Sequence, residues 1–215
     1  MKIVIHSLID ILILWPSLFI LGLSLFRQKL NPYFTSILIS TFVMSTVSLI
    51  VHNTFLEPAM TLIQPIFLIL CFYLILRLSL LHSTIICITT YIFSALVELT
   101  LMALLSNMNW DRFVQGMQEY NYIQGTTIGL LNYWVAWLLY KTRFGFTFIH
   151  VRQRQVGPSA ANSRVSYILV PAFFYMAALS LVIFHLDQFL LINLAFLVAA
   201  LLFLLIWMYK RERSE

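Results

Sequence analysis

The chain is made of long apolar runs that are separated by short polar breaks. Seven runs approach the roughly 20 residues that a helix rising about 1.5 Å per residue needs to cross a hydrocarbon core of about 30 Å. They cover 3–26, 33–51, 59–80, 84–105, 123–140, 166–186 and 189–209. We therefore predict an all-α fold, a polytopic membrane helix bundle of about seven transmembrane helices that forms a single transmembrane domain over 1–215.

The breaks between the runs favour antiparallel packing. The links at 81–83 and 187–188 are too short to cover any distance across a bundle, so each predicts a tight hairpin. Pro16 and Pro65 lie inside predicted spans, where a proline kinks a helix and frees a backbone carbonyl oxygen. A count of six helices stays open if the first or the fifth run lies in the membrane interface.

The composition excludes a separate soluble domain. Hydrophobic residues make up 61% of the 215 residues and charged residues only 10%, and the mean hydropathy is +0.93. Soluble domains carry about a quarter charged residues. Both cysteines, Cys71 and Cys87, lie inside apolar runs, where a free thiol behaves as a small hydrophobic group.

Lysine and arginine are distributed unevenly between the two sides of the predicted bundle. With the N-terminus outside, eleven of the thirteen lie on the inner side. These are Arg27, Lys29, Arg77, Lys141, Arg143, Arg152, Arg154, Arg164, Lys210, Arg211 and Arg213. Cytoplasmic loops carry the excess of basic residues, so we predict a multi-pass protein of the cell membrane with a cytoplasmic C-terminus. The partner that this pattern predicts is the lipid bilayer, and the net charge of +5 is no evidence for nucleic acid.

Polar side chains inside the predicted spans are concentrated toward the outer side. Asp10 and Glu98 each lie seven residues from an outer helix end, which places both about 10 Å deep. Charged groups cost about 2.5 to 3.5 kcal/mol each in a span and tend to face a bundle interior or a water-filled cavity. The predicted ligand-binding residues of an outward-facing pocket are Asp10, Glu98, His6, Gln64, Asn132 and Asn193.

The same polar groups are also compatible with a bundle that binds no ligand. The carboxyl groups of Asp10 and Glu98 fit hydrogen bonds to neighbouring helices, or a neutral protonated form. A shared proton between the two is a further alternative. Gly125 and Gly129 form a small-xxx-small face that predicts close helix packing or a homodimer.

Catalytic and metal chemistry receive little support from the residue pattern. His82 and Cys87 are the one pair that resembles a base and a nucleophile, but on one helix they point about 140° apart. His6, His52 and His185 lack the paired spacing of a metal site. We expect no enzyme activity, no metal and no cofactor.

Seven spans, an outside N-terminus and a last helix that runs into a charged tail resemble the sensor region of Agr-type peptide-pheromone receptor histidine kinases. The resemblance covers the whole chain, from 6–10 through 94–98 to the exit at 206–213. It implies a bundle that binds a secreted peptide from outside and signals through its last helix. The chain stops at Glu215 without a phosphoacceptor helix or a nucleotide-binding domain, so kinase activity is not expected.

Three functions remain compatible with this sequence. The first is a receptor-like or regulatory membrane protein that senses an extracellular small molecule or peptide and contacts a cytoplasmic signalling partner. The second is the substrate-binding subunit of a membrane transporter, which needs an ATPase partner. The third is an Agr-type, membrane-embedded peptide-processing cysteine protease, which is disfavoured because the Gly-Gly stretch expected before its histidine is absent around His82.

Overall fold

Five main helices account for most of the part of the chain that the computed structural model describes. That part covers residues 9–52, 54, 60–106, 122–147, 198–199, 201–206, 208–210 and 213. His6, Asn193 and the predicted span at 166–186 lie outside the described residues, and so does most of the first half of the span at 189–209. Within the described ranges the chain is helical and no strand occurs, which confirms the all-α prediction.

The helices follow the first five apolar runs in order. A π-helical segment, Asp10–Leu14, continues into α1, Trp15–Leu25, and a 3-10 turn, Asn31–Tyr33, leads into α2, Phe34–His52. Helix α3, Met60–Leu70, continues as a second π-helical segment, Cys71–Ile75. The remaining helices are α4, Leu80–Leu105, and α5, Tyr122–Thr142.

The turn between α3 and α4 lies earlier than the predicted link at 81–83. Ser79 has an extended backbone and its hydroxyl accepts a hydrogen bond from the backbone N–H of His82 at 3.3 Å, so α4 begins at Leu80. A serine in this position caps a helix because it satisfies one of the free N–H groups of the first turn. The position of this turn therefore depends on the Ser79 cap and on the φ and ψ angles of Ser79. An average of hydropathy does not detect either.

Two described helices are long and apolar enough to cross a membrane, by length and composition. They cover Asn31–Val51 and Leu80–Leu105, with mean hydropathies of 2.0 and 1.9. Shorter apolar helices cover Asp10–Leu25, Ile63–Ile75 and Leu201–Lys210. These helices agree with membrane association at the level of individual elements.

Helix α1 lies against three of the other helices, α2, α4 and α5. Its Phe19 ring packs on Phe72 of the second π segment, with the ring centroids 5.1 Å apart. Gly22 allows α1 to approach α4 closely, because a Cβ at Gly22 would lie 2.7 Å from the Cγ2 atom of Ile86. Trp15, Phe19, Phe26 and Phe72 are each at most 2% exposed and form the centre of the core.

Gly129 has a comparable role on α5. A Cβ there would lie 2.5 Å from Cγ2 of Ile13, in the N-terminal π segment. The glycine therefore serves close packing within the chain, which is one of the two roles predicted for the Gly125 and Gly129 pair. The homodimer stays a prediction.

Helix α2 has its polar and apolar residues on unusual sides. Leu38, Ile39 and Phe42 are each more than half exposed, whereas Ser45 and Ser48 are each 2% exposed. A helix on the surface of a soluble domain shows the reverse arrangement, with charged or polar residues outside. The exposed face of α2 is suited to a hydrocarbon surrounding.

Three arginines share one backbone conformation at helix ends. Arg27, Arg77 and Arg143 have positive φ angles of 51°, 57° and 52° and follow α1, the second π segment and α5. The first of these turns has the two hydrogen bonds of a Schellman motif, from Gln28 N to the Leu23 oxygen at 2.9 Å and from Arg27 N to the Ser24 oxygen at 3.1 Å. A positive charge at this position also interacts favourably with the helix dipole.

Candidate functional site

Three polar side chains follow one another along a face of α4. Tyr91, Ser94 and Glu98 are spaced by three and four residues, which places them on neighbouring positions of the same helix face. We call this set the α4 polar stripe. Each of its first two members reaches a different neighbouring helix, and the third has no hydrogen-bond partner among the residues that the structure describes.

Asn132 joins three helices through the middle of the stripe. Its side-chain nitrogen donates to the Ser94 hydroxyl at 3.1 Å and to the Ser17 hydroxyl at 3.3 Å, and the Ser94 hydroxyl lies 3.3 Å from the Asn132 oxygen. Asn132 is 0% exposed, so these bonds form entirely inside the bundle. A buried amide that is satisfied in this way connects α5 to α1 and α4.

Gln64 and Tyr91 connect the stripe to α3. The Tyr91 hydroxyl donates to the side-chain oxygen of Gln64 at 3.3 Å, and Gln64 is 8% exposed. Gln64 directly precedes Pro65, and the Pro65 carbonyl oxygen accepts a hydrogen bond from the Cys87 thiol at 3.5 Å. The part of α3 around Pro65 is thus held to α4 by two polar contacts.

Glu98 is the member of the stripe with free hydrogen-bonding capacity. It is half-buried on α4, and no described residue donates a hydrogen bond to its carboxyl group. A carboxyl group in an apolar surrounding needs a hydrogen-bond donor or a positive charge to offset the loss of water. Glu98 is therefore the residue of the stripe best placed to hold a polar ligand group.

Asp10 has its hydrogen-bond partner on another helix. Its carboxylate accepts a hydrogen bond from the Ser48 hydroxyl of α2 at 3.4 Å, and Asp10 is 3% exposed. The partners of the α4 polar stripe lie instead on α3 and α5. A common pocket for Asp10 and Glu98 stays a prediction, and the roles of His6 and Asn193 lie outside the described residues.

A second polar surface, on α2, was not predicted from the sequence. Ser40, Thr41, Ser45 and Ser48 are at most 2% exposed and lie along the buried side of this helix, which we call the α2 hydroxyl face. The residues at 41, 45 and 48 have the spacing of four and three that marks one side of a helix. This spacing is a signal that is present in the sequence, but hydroxyl residues in a span are common and carry no charge.

Both cysteines are buried inside the bundle. Cys87 is 1% exposed and its thiol donates a hydrogen bond to the Pro65 carbonyl oxygen, and Cys71 is 3% exposed. Among the described residues there is no group of three His, Cys, Asp or Glu side chains suited to a metal ion. Cys87 thus has a packing role between α3 and α4.

Comparison with known proteins gives no relative for this chain. No protein-family model, no curated protein and no solved structure matches it.

Proposed function

We propose that this chain is a multi-pass protein of the cell membrane that senses an extracellular small molecule or peptide and signals to a cytoplasmic partner. One observation carries the proposal. Helix α4 is long and apolar enough to span a membrane, yet it carries a half-buried Glu98 without a hydrogen-bond partner among the described residues, next to Tyr91 and Ser94. Ionisable groups in such helices are costly and tend to mark sites for ligands or ions.

The exposed faces of the helices support the membrane part of the proposal. Phe42 and Leu104 are each 66% exposed, and Trp134 is 57% exposed. Large apolar surfaces of this kind are uncommon on soluble monomers and are stable in lipid. The main described helices follow the first five predicted spans in order.

The helix ends support the predicted orientation. Leu25, at the end of α1, accepts a hydrogen bond at 2.8 Å from the backbone N–H of Phe146, which follows α5. The two helices therefore end on the same side, and exposed Arg27, Lys29 and Arg143 lie at these ends. Under the positive-inside rule this side is cytoplasmic.

Cysteine labelling tests the orientation. In a background with Cys71→Ala and Cys87→Ala, Lys29→Cys and Lys141→Cys should react with a membrane-impermeant maleimide in inverted vesicles but stay unlabelled in intact cells. Thr54→Cys is the matched control, because Thr54 is exposed beyond the opposite end of α2 and should show the reverse pattern. Labelling of Lys29→Cys from outside the cell would contradict the proposed topology.

The proposed pocket has Glu98 as its anchor. Asn132 uses its side-chain nitrogen for Ser17 and Ser94, and the Gln64 side-chain oxygen accepts from Tyr91, which leaves Glu98 to receive a ligand. A carboxyl group accepts hydrogen bonds, so the ligand class we propose carries amine, hydroxyl or peptide N–H donors. Asp10, His6 and Asn193 remain further proposed members of this pocket.

A thermal-shift comparison tests the pocket. The intact chain in nanodiscs is exposed to amino acids, water-soluble vitamins and the peptide fraction of conditioned growth medium. A compound that raises the melting temperature of the unmodified chain should lose this effect in Glu98→Gln, because the amide removes the charge and one acceptor while keeping the shape.

Asp10→Asn tests the second carboxylate proposed for the pocket, whose described partner, Ser48, lies on α2. A compound that stabilises the unmodified chain and Glu98→Gln equally would overturn Glu98 as the anchor. Loss of the effect in Asp10→Asn alone would move the site to the α2 side of the bundle.

A transport component is the second candidate, and the α2 hydroxyl face favours it. Buried Ser45 and Ser48 give a span-length helix an inward polar side, which a substrate path also requires. Co-purification of the intact protein separates the candidates. An ATPase module bound to the chain supports transport, whereas a kinase or another regulator supports signalling.

A further inference from the structure

Three hydroxyl groups of the α2 hydroxyl face, those of Ser40, Thr41 and Ser45, are buried without a hydrogen-bond partner among the described residues. Thr41 and Ser45 are each 2% exposed, and neither hydroxyl oxygen has a hydrogen-bond partner among the described residues. A buried hydroxyl without a hydrogen-bond partner is destabilising because it has lost its bonds to water, so several of them in adjacent turns represent a substantial penalty.

A buried hydroxyl in a helix usually donates to the backbone carbonyl oxygen four residues earlier, but Thr41 and Ser45 do not. Thr46, on the same helix, donates to the carbonyl oxygen of Phe42 at 2.9 Å. On α4, the buried hydroxyls of Thr89 and Thr90 both donate at 2.8 Å to the carbonyl oxygen four residues earlier. Thr41 and Ser45 do not make this bond in the structure. In the conformation that the structure shows, their hydroxyls are satisfied only if another partner binds them.

The α2 hydroxyl face is bounded by polar groups at both ends. At one end the Ser48 hydroxyl donates to the Asp10 carboxylate at 3.4 Å, and at the other end Ser40 lies beside the Cys71 thiol. Asp10 and Cys71 each begin a π-helical segment, and α2 contacts both segments. From 40 to 48 the face extends about 12 Å along the helix.

From these contacts we propose that the α2 hydroxyl face is a binding site for internal water that extends from Asp10 toward Cys71. Each hydroxyl offers a donor and an acceptor, and a buried water needs two to four polar partners of this kind. Apart from Asp10, the face carries no charge to select an ion. Water bound here completes the hydrogen bonds of Thr41 and Ser45 and connects the buried Asp10 carboxylate to a polar path inside the bundle.

Hydroxyl-radical footprinting of the unmodified chain in nanodiscs tests this proposal. Radicals formed from bound water oxidise the nearest sulfur, and Met44 lies on the same side of α2 between Thr41 and Ser45. Met102 of α4 is the matched control, because the two methionines are 0% and 3% exposed. We expect Met44 to oxidise at least about fivefold faster than Met102, as internal water supplies the radical locally. Equal, slow oxidation of both would overturn the proposal.

A pair of variants gives a second, independent measurement. Thr41→Val keeps the shape of the side chain but removes the hydroxyl, and Thr90→Val does the same at a hydroxyl that is satisfied by its own helix. If water completes the hydrogen bonds of Thr41, Thr41→Val should lower the melting temperature and reduce the oxidation of Met44, while Thr90→Val leaves Met44 oxidation unchanged. A higher melting temperature for Thr41→Val would show an unsatisfied hydroxyl and overturn the water site.

Discussion

Helices α2 and α4 are both long and apolar enough to span a membrane, but they satisfy their polar side chains in opposite ways. The buried hydroxyls of α4 donate to carbonyl oxygens of their own helix, as at Thr89 and Thr90, or bond to a neighbouring helix, as at Ser94. The α2 hydroxyl face leaves Thr41 and Ser45 without a described partner. Equal hydropathy thus conceals two different kinds of helix.

The difference indicates that α4 serves mainly as a scaffold, whereas α2 depends on the water that we propose to bind at its hydroxyl face. Helix α4 contacts α1, α3 and α5, and its polar residues form hydrogen bonds to α3 and α5. Its one half-buried carboxyl group, Glu98, is then an exception within a satisfied helix. Helix α2 instead presents several hydroxyls together, and only Ser48 among them bonds to a described protein group, the Asp10 carboxylate.

The largest expected effect comes from separating α4 from α1. In Gly22→Val the new Cβ would lie 2.7 Å from Ile86 and 3.2 Å from Thr90, both on α4, so the two helices must move apart. We expect the free energy of unfolding in mixed micelles to fall by about 1–3 kcal/mol, the usual cost of overpacking a core.

The matched control for this substitution is Gly22→Ala, which adds only the Cβ and should cost less. The comparison of the two helices also predicts that Gly22→Val disturbs the hydrogen bonds of Asn132 more than the hydrogen bond between Ser48 and Asp10. An unchanged stability in Gly22→Val would show that the contact between α1 and α4 is looser than the structure describes.

A smaller effect is expected when the polar connection between α4 and α5 is removed. Asn132→Leu deletes the donor to Ser17 and Ser94 and replaces it with an apolar side chain of similar size. Hydrogen bonds between membrane helices contribute about 0.6 kcal/mol on average and up to about 1.7 kcal/mol, so we expect a loss of about 1 kcal/mol.

A double-mutant cycle with Ser94→Ala measures this contact directly in the free energy of unfolding. Because Asn132 and Ser94 share one contact, the double variant should lose less stability than the sum of the two single variants. The losses caused by Asn132→Leu and Thr41→Val should instead add up. Coupling between Asn132 and Thr41 would mean that the two polar regions act as one, and the contrast between α2 and α4 would not hold.

The apolar pattern predicted the helical elements well because burial in lipid or core sets their length. The run at 123–140 corresponds to α5, Tyr122–Thr142, and the run at 33–51 corresponds to α2, Phe34–His52. The turn between α3 and α4 was misplaced by several residues, because it depends on the Ser79 cap and on the positive φ of Arg77. Local backbone geometry of this kind has little signal in hydropathy.

The polar site was predictable only in part. Residue spacing placed Ser94 and Glu98 on one face of α4, as the structure has them. It did not predict that Asn132 bonds to Ser94 or that Asp10 bonds to Ser48, because both contacts depend on how helices rotate against each other. A span-length pattern fixes where a helix lies along the chain, but its rotation is set by packing at positions such as Gly22.

The smallest expected effect concerns the turn that leads into α4. Arg77 has a φ of 57°, a conformation that costs a residue with a Cβ about 1 kcal/mol but costs glycine very little. We expect Arg77→Gly to be more stable than Arg77→Ala by about 1 kcal/mol, since both variants lose the same charge at the helix end and only glycine relieves the backbone. Unfolding in mixed micelles measures this difference. Arg27 has the same conformation at the end of α1, so the pair Arg27→Gly and Arg27→Ala should repeat the result. If the alanine and glycine variants at 77 are equally stable, the turn relaxes to a negative φ, and the start of α4 is then defined by the Ser79 cap alone.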